Sequence, residues 1–352
     1  MAHAPTFISL FLAASLLAEV PAPPPKAANA AVDAAFIRTT LAALQDALGR
    51  EYFDPSVAAK VAEGLGKRLA EGRYLKAAGI EALAGALTED LYAMTKDKHL
   101  QVTPAVEAPV GLAGVASADA TPREVAARRI NFGIQRMEIL PGNVGYLQFT
   151  AFYRPDEARE AIASAMALLR HTDALILDLR DNGGGSSGTL ALLASYFYET
   201  QGLPLFEVVP RPPAKVVKFT TVTTTLPDRN QQRPTYVLVS GNTWSAGEGL
   251  ACLLQDRHRA EVIGETTPGA GNQARTHRLN ARLEVTIPNG IVRTAIRQQS
   301  WEGTGVVPDI PAKAPDALRL AHMRALQNLL KTTPSGTWRD ALEKHLALLM
   351  NG

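Results

Sequence analysis

The chain has 352 residues, 46% of them hydrophobic and 20% charged, which is the make-up of a globular protein with room for a large core or for more than one domain. Its formal net charge of +2 gives no electrostatic reason to expect nucleic acid or an anionic membrane surface as a partner. The single cysteine, Cys252, excludes an internal disulfide and reads as a small core residue on the apolar side of a helix.

Residues 1–30 read as an export signal. Phe7 to Ala18 is an apolar run too short to span a bilayer comfortably, and Ala28-Asn29-Ala30 forms an A-x-A cleavage site, although no Lys or Arg precedes the run. No cysteine follows it, and no other segment is long enough to cross a membrane. The expectation is an exported protein, periplasmic or secreted, with no stable membrane insertion.

Residues 31–98 carry three successive helical stripes and read as a small bundle. Ile37, Leu41, Leu44 and Leu48 form the first; Val57, Val61, Leu65 and Leu69 the second, opened by Asp54-Pro55; Ile80, Leu83, Leu87 and Leu91 the third. Residues 99–131 turn Pro-, Ala- and Gly-rich without a clear period and read as a linker or covering loop. Within 132–312 the spacing predicts a hairpin over Met137–Leu140 and Val144–Phe149, a helix over Asp156–Arg170 and a buried strand over Ala174–Leu179. A helix through Tyr198 follows, then strands near Leu205–Val209, Val216–Val222 and Tyr236–Val239. After the next helix come strands at Glu261–Gly264, Arg275–Leu279, Leu283–Ile287 and Ile291–Thr294. Strands alternating with helices imply an α/β core with a largely parallel sheet. Residues 313–352 add helices over Asp316–Leu330 and Trp338–Met350.

Four stretches could carry chemistry. Ser245 sits where the strand Tyr236–Val239 gives way to a helix, so its hydroxyl lies near free helix N–H groups and the positive end of a helix dipole. It reads as a helix cap, the common fate of serine there, or as a nucleophile with an oxyanion site beside it. Gly183-Gly184-Gly185 follows a buried strand and reads as a tight turn or as a cradle of backbone N–H groups; it lacks P-loop and dinucleotide spacings. Of 7 histidines, His99 stands in a polar cluster at the bundle-to-core junction. His277 on a strand is a weaker rival, and His171, His258, His322 and His345 read as solvated. Glu302 lies in a Gly-rich loop after the last core strand.

Together these pieces resemble the tail-specific, or C-terminal processing, serine protease family, in the branch that includes tricorn protease and interphotoreceptor retinoid-binding protein. The matching stretches are DLRDNGGG at Asp178–Gly185, TWSAGE at Thr243–Glu248, GETTPGAGN at Gly264–Asn272, EGTGVVPDI at Glu302–Ile310 and DKHL at Asp97–Leu100. The resemblance implies a crotonase/Clp-protease-like ββα core after the helical bundle, with Ser245 as nucleophile and an oxyanion hole from the N–H of Ala246 and of a glycine, Gly184. Family members with a Ser-Lys dyad carry lysine in a G-K-G context, where this chain has Gly269-Ala270-Gly271. Lys215 and Lys218 lie in no matching motif. The resemblance therefore implies His99 as base and Glu302 as its helper, with Glu248 as a possible supporting acid. It implies a serine peptidase acting on peptide or protein substrates through an acyl-enzyme, without metal or cofactor. Residues 103–131 are too few for the PDZ domain usual in the family. The same scaffold allows two alternatives, a binder of a hydrophobic ligand and a hydrolase of non-peptide esters. The sequence sets no oligomeric state.

Overall fold

A computed structural model describes residues 32–105, 122–224 and 232–351. The expected export signal and part of the expected covering loop lie outside the described residues. Helices α1 (Ala34–Glu51), α2 (Pro55–Ala70) and α3 (Ile80–Thr95) open the chain. Asp33 and Asp54 cap the first two, accepting from the N–H of Phe36 at 2.7 Å and of Ser56 at 2.8 Å, which satisfies donors that a helix start leaves free. Helix α3 stops at Lys96, whose left-handed φ of 60° turns the chain toward β1 (Gln101–Pro104). The three leucine stripes meet: Leu44, Leu48, Leu65, Leu83, Leu87 and Leu91 are all fully buried. Val102, Leu283, Val285 and Ile287 belong to the same core, so the helices pack onto a sheet and not only onto each other.

Helix α4 (Pro122–Arg129) occupies part of the segment read as loop. Among its described side chains only Val125 and Ala127 are buried, so it offers no apolar stripe from which a helix could be read. Then follow β2 (Ile134–Leu140), β3 (Val144–Phe149), α5 (Pro155–Leu169), β4 (Ala174–Asp178), α6 (Ser187–Ser195), β5 (Pro204–Pro210), β6 (Val217–Thr220), β7 (Thr235–Val239), α7 (Ala246–Asp256) and β8 (Glu261–Gly264). The chain continues through β9 (Gln273–Arg278), β10 (Leu283–Thr294), β11 (Ile310–Pro311), α8 (Ala314–Thr332) and α9 (Thr337–Asn351).

One sheet has the order β11-β8-β7-β4-β3-β2 and is parallel apart from the β2-β3 hairpin. Its continuous apolar runs are explained by two covered faces. Leu175, Leu177, Val237 and Val239 point to a core with α5, α6 and α7, while Ala174, Ile176, Tyr236 and Leu238 point to one with α8 and α9. The second sheet, β1-β10-β5-β6 with β9 on β10, is antiparallel, a layer that the sequence pattern did not reveal. The strands expected at Leu283–Ile287 and Ile291–Thr294 are one strand, β10. Pro288-Asn289-Gly290 resembles a turn, but the register shift against β9 there absorbs the proline within the strand.

Leu91→Ala should lower unfolding free energy by about 2–5 kcal/mol, read from urea melts, because Leu91 is fully enclosed where helices and sheet meet. A loss under about 1 kcal/mol would contradict a shared core.

Candidate active site

The α/β sheet delivers two turns to one place. Strand β4 runs into Asp178–Gly185, and its neighbour β7 runs into Ser240–Ser245. Asn182 fastens them: its carbonyl accepts from Trp244 N–H at 2.8 Å, its Oδ1 accepts from Gly184 N–H at 2.9 Å, and its Nδ2 donates to the Phe149 carbonyl at 3.1 Å. Thr243 adds a second tie, its hydroxyl donating to the Leu179 carbonyl at 2.8 Å. Gly184 is pressed so closely against Ser245 that a Cβ added there would lie 2.8 Å from both Ser245 Cβ and the Trp244 carbonyl oxygen.

Ser245 precedes α7 with φ 53° and ψ −117°, a backbone conformation that a residue with a side chain rarely adopts. Such strain costs on the order of 1–3 kcal/mol and persists only where the surroundings enforce it. Here the enforcing group is Glu248, one helical turn on and fully buried. Its Oε2 accepts from Ser245 N–H at 2.8 Å and Ala270 N–H at 2.9 Å; its Oε1 accepts from the Thr267 hydroxyl at 2.6 Å and Gly269 N–H at 2.7 Å. The carboxylate thus joins the serine turn to the 267–271 loop.

That loop in turn holds the other acid. Glu302 Oε2 accepts from Gly271 N–H at 2.6 Å and Asn272 N–H at 2.9 Å, and Trp301 Nε1 donates to the Ala270 carbonyl at 3.1 Å. Asn272 Nδ2 donates to Asp97 Oδ2 at 2.8 Å, and Asp97 Oδ1 accepts the backbone N–H of His99 at 2.9 Å. Ligand-capable atoms of Asp97, His99 and Glu302 lie within 4.8 Å of one another. His99 Nδ1 and Glu302 Oε1 are both buried without a hydrogen-bond partner. Burial pushes the His99 imidazole down to about 4, so it is neutral and able to accept a proton at neutral pH. Burial, then the charge of Asp97, pushes the Glu302 carboxyl up to about 7. Burial raises Asp97 as well.

His99, Ser245, Ala246, Gly183 and Gly185 line one cavity of about 340 Å³, whose apolar wall includes Leu190, Phe206, Val292 and Trp301. Glu302 stands behind His99, outside the lining. Two expectations need adjusting. The Gly184 N–H is taken by Asn182 because the turn folds back on that side chain, and it is Gly183 and Gly185 that border the cavity. His322, expected to be solvated, is buried between α8 and the β2-β3 turn, with Nε2 2.7 Å from the Pro141 carbonyl. His277 lies 4.0 Å from Glu51 and not on the cavity, and Lys215 and Lys218 are exposed elsewhere. Asp97 and Asn272 were missed. Both lie inside the motifs quoted above, but nothing in spacing alone shows that their side chains meet. Tyr52, whose hydroxyl is raised by burial and then by the charges of Asp97 and Glu302, gave no signal at all.

The family model for peptidase family S41 matches residues 143–312, and that for the N-terminal domain of peptidase S41 in eukaryotic IRBP matches residues 29–131. The chain belongs to peptidase family S41. Carboxy-terminal processing protease CtpA of Bacillus subtilis is 26% identical over 217 residues, covering 60% of this chain and 44% of the relative. Chloroplastic carboxyl-terminal-processing peptidase 2 of Arabidopsis thaliana is 30% identical over 185 residues, covering 49% of this chain and 33% of the relative. The chain therefore spans less than half the length of these S41 relatives. A lipoprotein from Streptococcus agalactiae superposes with a TM-score of 0.53 at 14% identity, over 83% of this chain and 96% of the other. A solved protein of Parabacteroides merdae gives 0.52 at 18% identity, over 89% and 96%. At these identities the likeness to the solved structures is one of fold. Among the described residues no helix is long and apolar enough to cross a membrane.

Glu248→Ala would leave the Thr267 hydroxyl and three backbone N–H groups without their acceptor. At about 1–3 kcal/mol for each buried polar group left unpaired, the expected loss is at least about 3 kcal/mol in a denaturant melt. A loss within about 0.5 kcal/mol would mean that water replaces the carboxylate freely.

Proposed function

We propose that the chain is a serine peptidase in which Ser245 is the nucleophile, His99 the general base and Glu302 the group that orients His99. The observation that carries this reading is the convergence of a strained, cavity-lining Ser245 with a buried neutral histidine backed by an unpaired carboxylate oxygen. His99 accepts the Ser245 hydroxyl proton as the oxygen attacks the substrate carbonyl, then gives it to the leaving amine. Water enters by the same route to release the acyl group. For that role one ring nitrogen of His99 would face the serine and the other Glu302, and a small closing movement would pair Nδ1 with Glu302 Oε1, the two buried atoms that lack partners. The developing oxyanion is met by Ala246 N–H at the start of α7 and by Gly185 N–H, since the N–H of Gly183 donates to the Thr150 carbonyl at 2.9 Å and that of Gly184 to Asn182 Oδ1 at 2.9 Å. Substrates are peptide or protein chains, and the residues need no metal or cofactor for these steps. Export to the periplasm or the medium remains part of the proposal.

The experiment is labelling with a fluorophosphonate, which reacts with activated serines. Labelling is expected to vanish in Ser245→Ala and to slow on the order of 10⁴-fold in His99→Ala, with both variants folded by circular dichroism. Labelling that survives in Ser245→Ala refutes the nucleophile; labelling absent from the intact chain favours a binder of hydrophobic ligands using the same apolar wall.

The pH profile tests the acid and base separately. Above about 4 His99 is neutral and competent, but Glu302 holds its proton up to about 7. The profile of kcat/KM, which reports free-enzyme groups, should rise with a midpoint near 7 as Glu302 ionises, and Glu302→Gln should remove that limb. The same shifts oppose each other in stability. The raised Glu302 pKa makes stability fall as pH rises through about 4.5 to 7, whereas the lowered His99 pKa makes it rise between about 4 and 6.5. In the overlap, slopes of urea stability against pH should therefore largely cancel between these two groups.

A further inference from the structure

We propose that Asp97, His99 and Glu302 form a Zn²⁺ site through which the metal reversibly switches the peptidase off. The inhibitory part of this proposal rests on the peptidase reading; the metal site does not. Three residues brought from the end of α3, the following loop and the loop after β10 place one imidazole nitrogen and two carboxylate oxygens within 4.8 Å of one another. Two independent features point to a ligand between them. His99 is over nine-tenths buried with Nδ1 lacking a partner, and Glu302 Oε1 is likewise buried and unpaired. Among the described residues, no Lys or Arg forms an ion pair with either carboxylate; the ion pairs present serve other acids.

The donor set selects the metal. One neutral imidazole with two carboxylates suits Zn²⁺, whereas Mg²⁺ and Ca²⁺ call for oxygen alone. Tetrahedral Zn²⁺ with bonds of about 2.0–2.2 Å needs donors about 3.4 Å apart, so from separations within 4.8 Å the cluster must tighten by up to about 1.4 Å. Asp97 and Glu302 each keep one oxygen on Asn272, through its side-chain and backbone N–H groups, and these bonds orient the ligands as the outer shell of a metal site does. A bound Zn²⁺ would take the Nδ1 and Oε1 that otherwise pair when His99 acts as base. Its charge would also disfavour a second positive charge on the imidazole. The cavity in front of His99 would stay open to substrate, so binding would persist while turnover stopped.

Titration calorimetry of Zn²⁺ into chelator-stripped full chain should show one tight equivalent, unchanged in Ser245→Ala and weakened at least about tenfold in His99→Ala and Glu302→Gln. In Zn²⁺-soaked crystals an anomalous peak should fall between Asp97, His99 and Glu302, a readout that needs no variant. A peak elsewhere, or affinity unaltered in both ligand variants, overturns the site. Zn²⁺ at saturation should suppress fluorophosphonate labelling at least tenfold, with recovery on EDTA. Labelling that proceeds at full rate on the saturated protein overturns the switch but leaves the peptidase intact. A protein that takes up Zn²⁺ at this place and never reacts with the probe overturns the peptidase reading and, with it, the inhibitory role.

Discussion

A buried carboxylate, Glu248, holds the site together. It has no described cationic partner and is satisfied by four dipoles, three backbone N–H groups and one hydroxyl. A charge in such surroundings is tolerable only if every donor stays in place. The serine turn and the 267–271 loop are therefore fixed relative to each other. The strain at Ser245 depends on that fixture, since its own N–H is one of the four donors. From the loop the constraint passes on: to Glu302 through Gly271 and Asn272, to Asp97 through the Asn272 side chain, and to the backbone of His99 through Asp97. Glu248 is not among the residues that line the cavity, yet hydrogen bonds link it to Ser245, Glu302 and His99.

Ala270 lies in the same loop, and its burial bears on the base proposed above. It is fully buried, with its N–H on Glu248 and its carbonyl accepting from Trp301. A lysine side chain in that place would have to enter space already filled. The histidine route meets no such obstacle, because His99 enters from the helical part of the chain. Its isolation from water keeps the ring neutral.

Much of this was legible in the sequence. The leucine stripes of α1–α3 and the apolar runs of β4 and β7 follow from periodicity, because their partners cover one face of a helix or both faces of a strand. The antiparallel sheet was harder to read. Its strands come from three separated regions, and β10 contains Pro288 and Gly290, whose turn chemistry masks a continuous strand. Within the site, Ser245, His99 and Glu302 stood out by motif, and the structure places their elements around one cavity. Asp97 and Asn272 did not stand out, because their meaning is a contact across 175 residues of chain. The engagement of the Gly184 N–H by Asn182 was likewise hidden, since a glycine run says how close the backbone can come and not which N–H remains free.

The long chain separation between Asp97 and Asn272 has a consequence for the life of the protein. His99 arrives on an early segment, Ser245 on a middle one, and Glu302 only after β10. A chain emerging from the ribosome carries none of the assembled site until its last third has been made and folded back onto its first. On the proposed reading, topology itself delays the assembly of the reactive groups during synthesis.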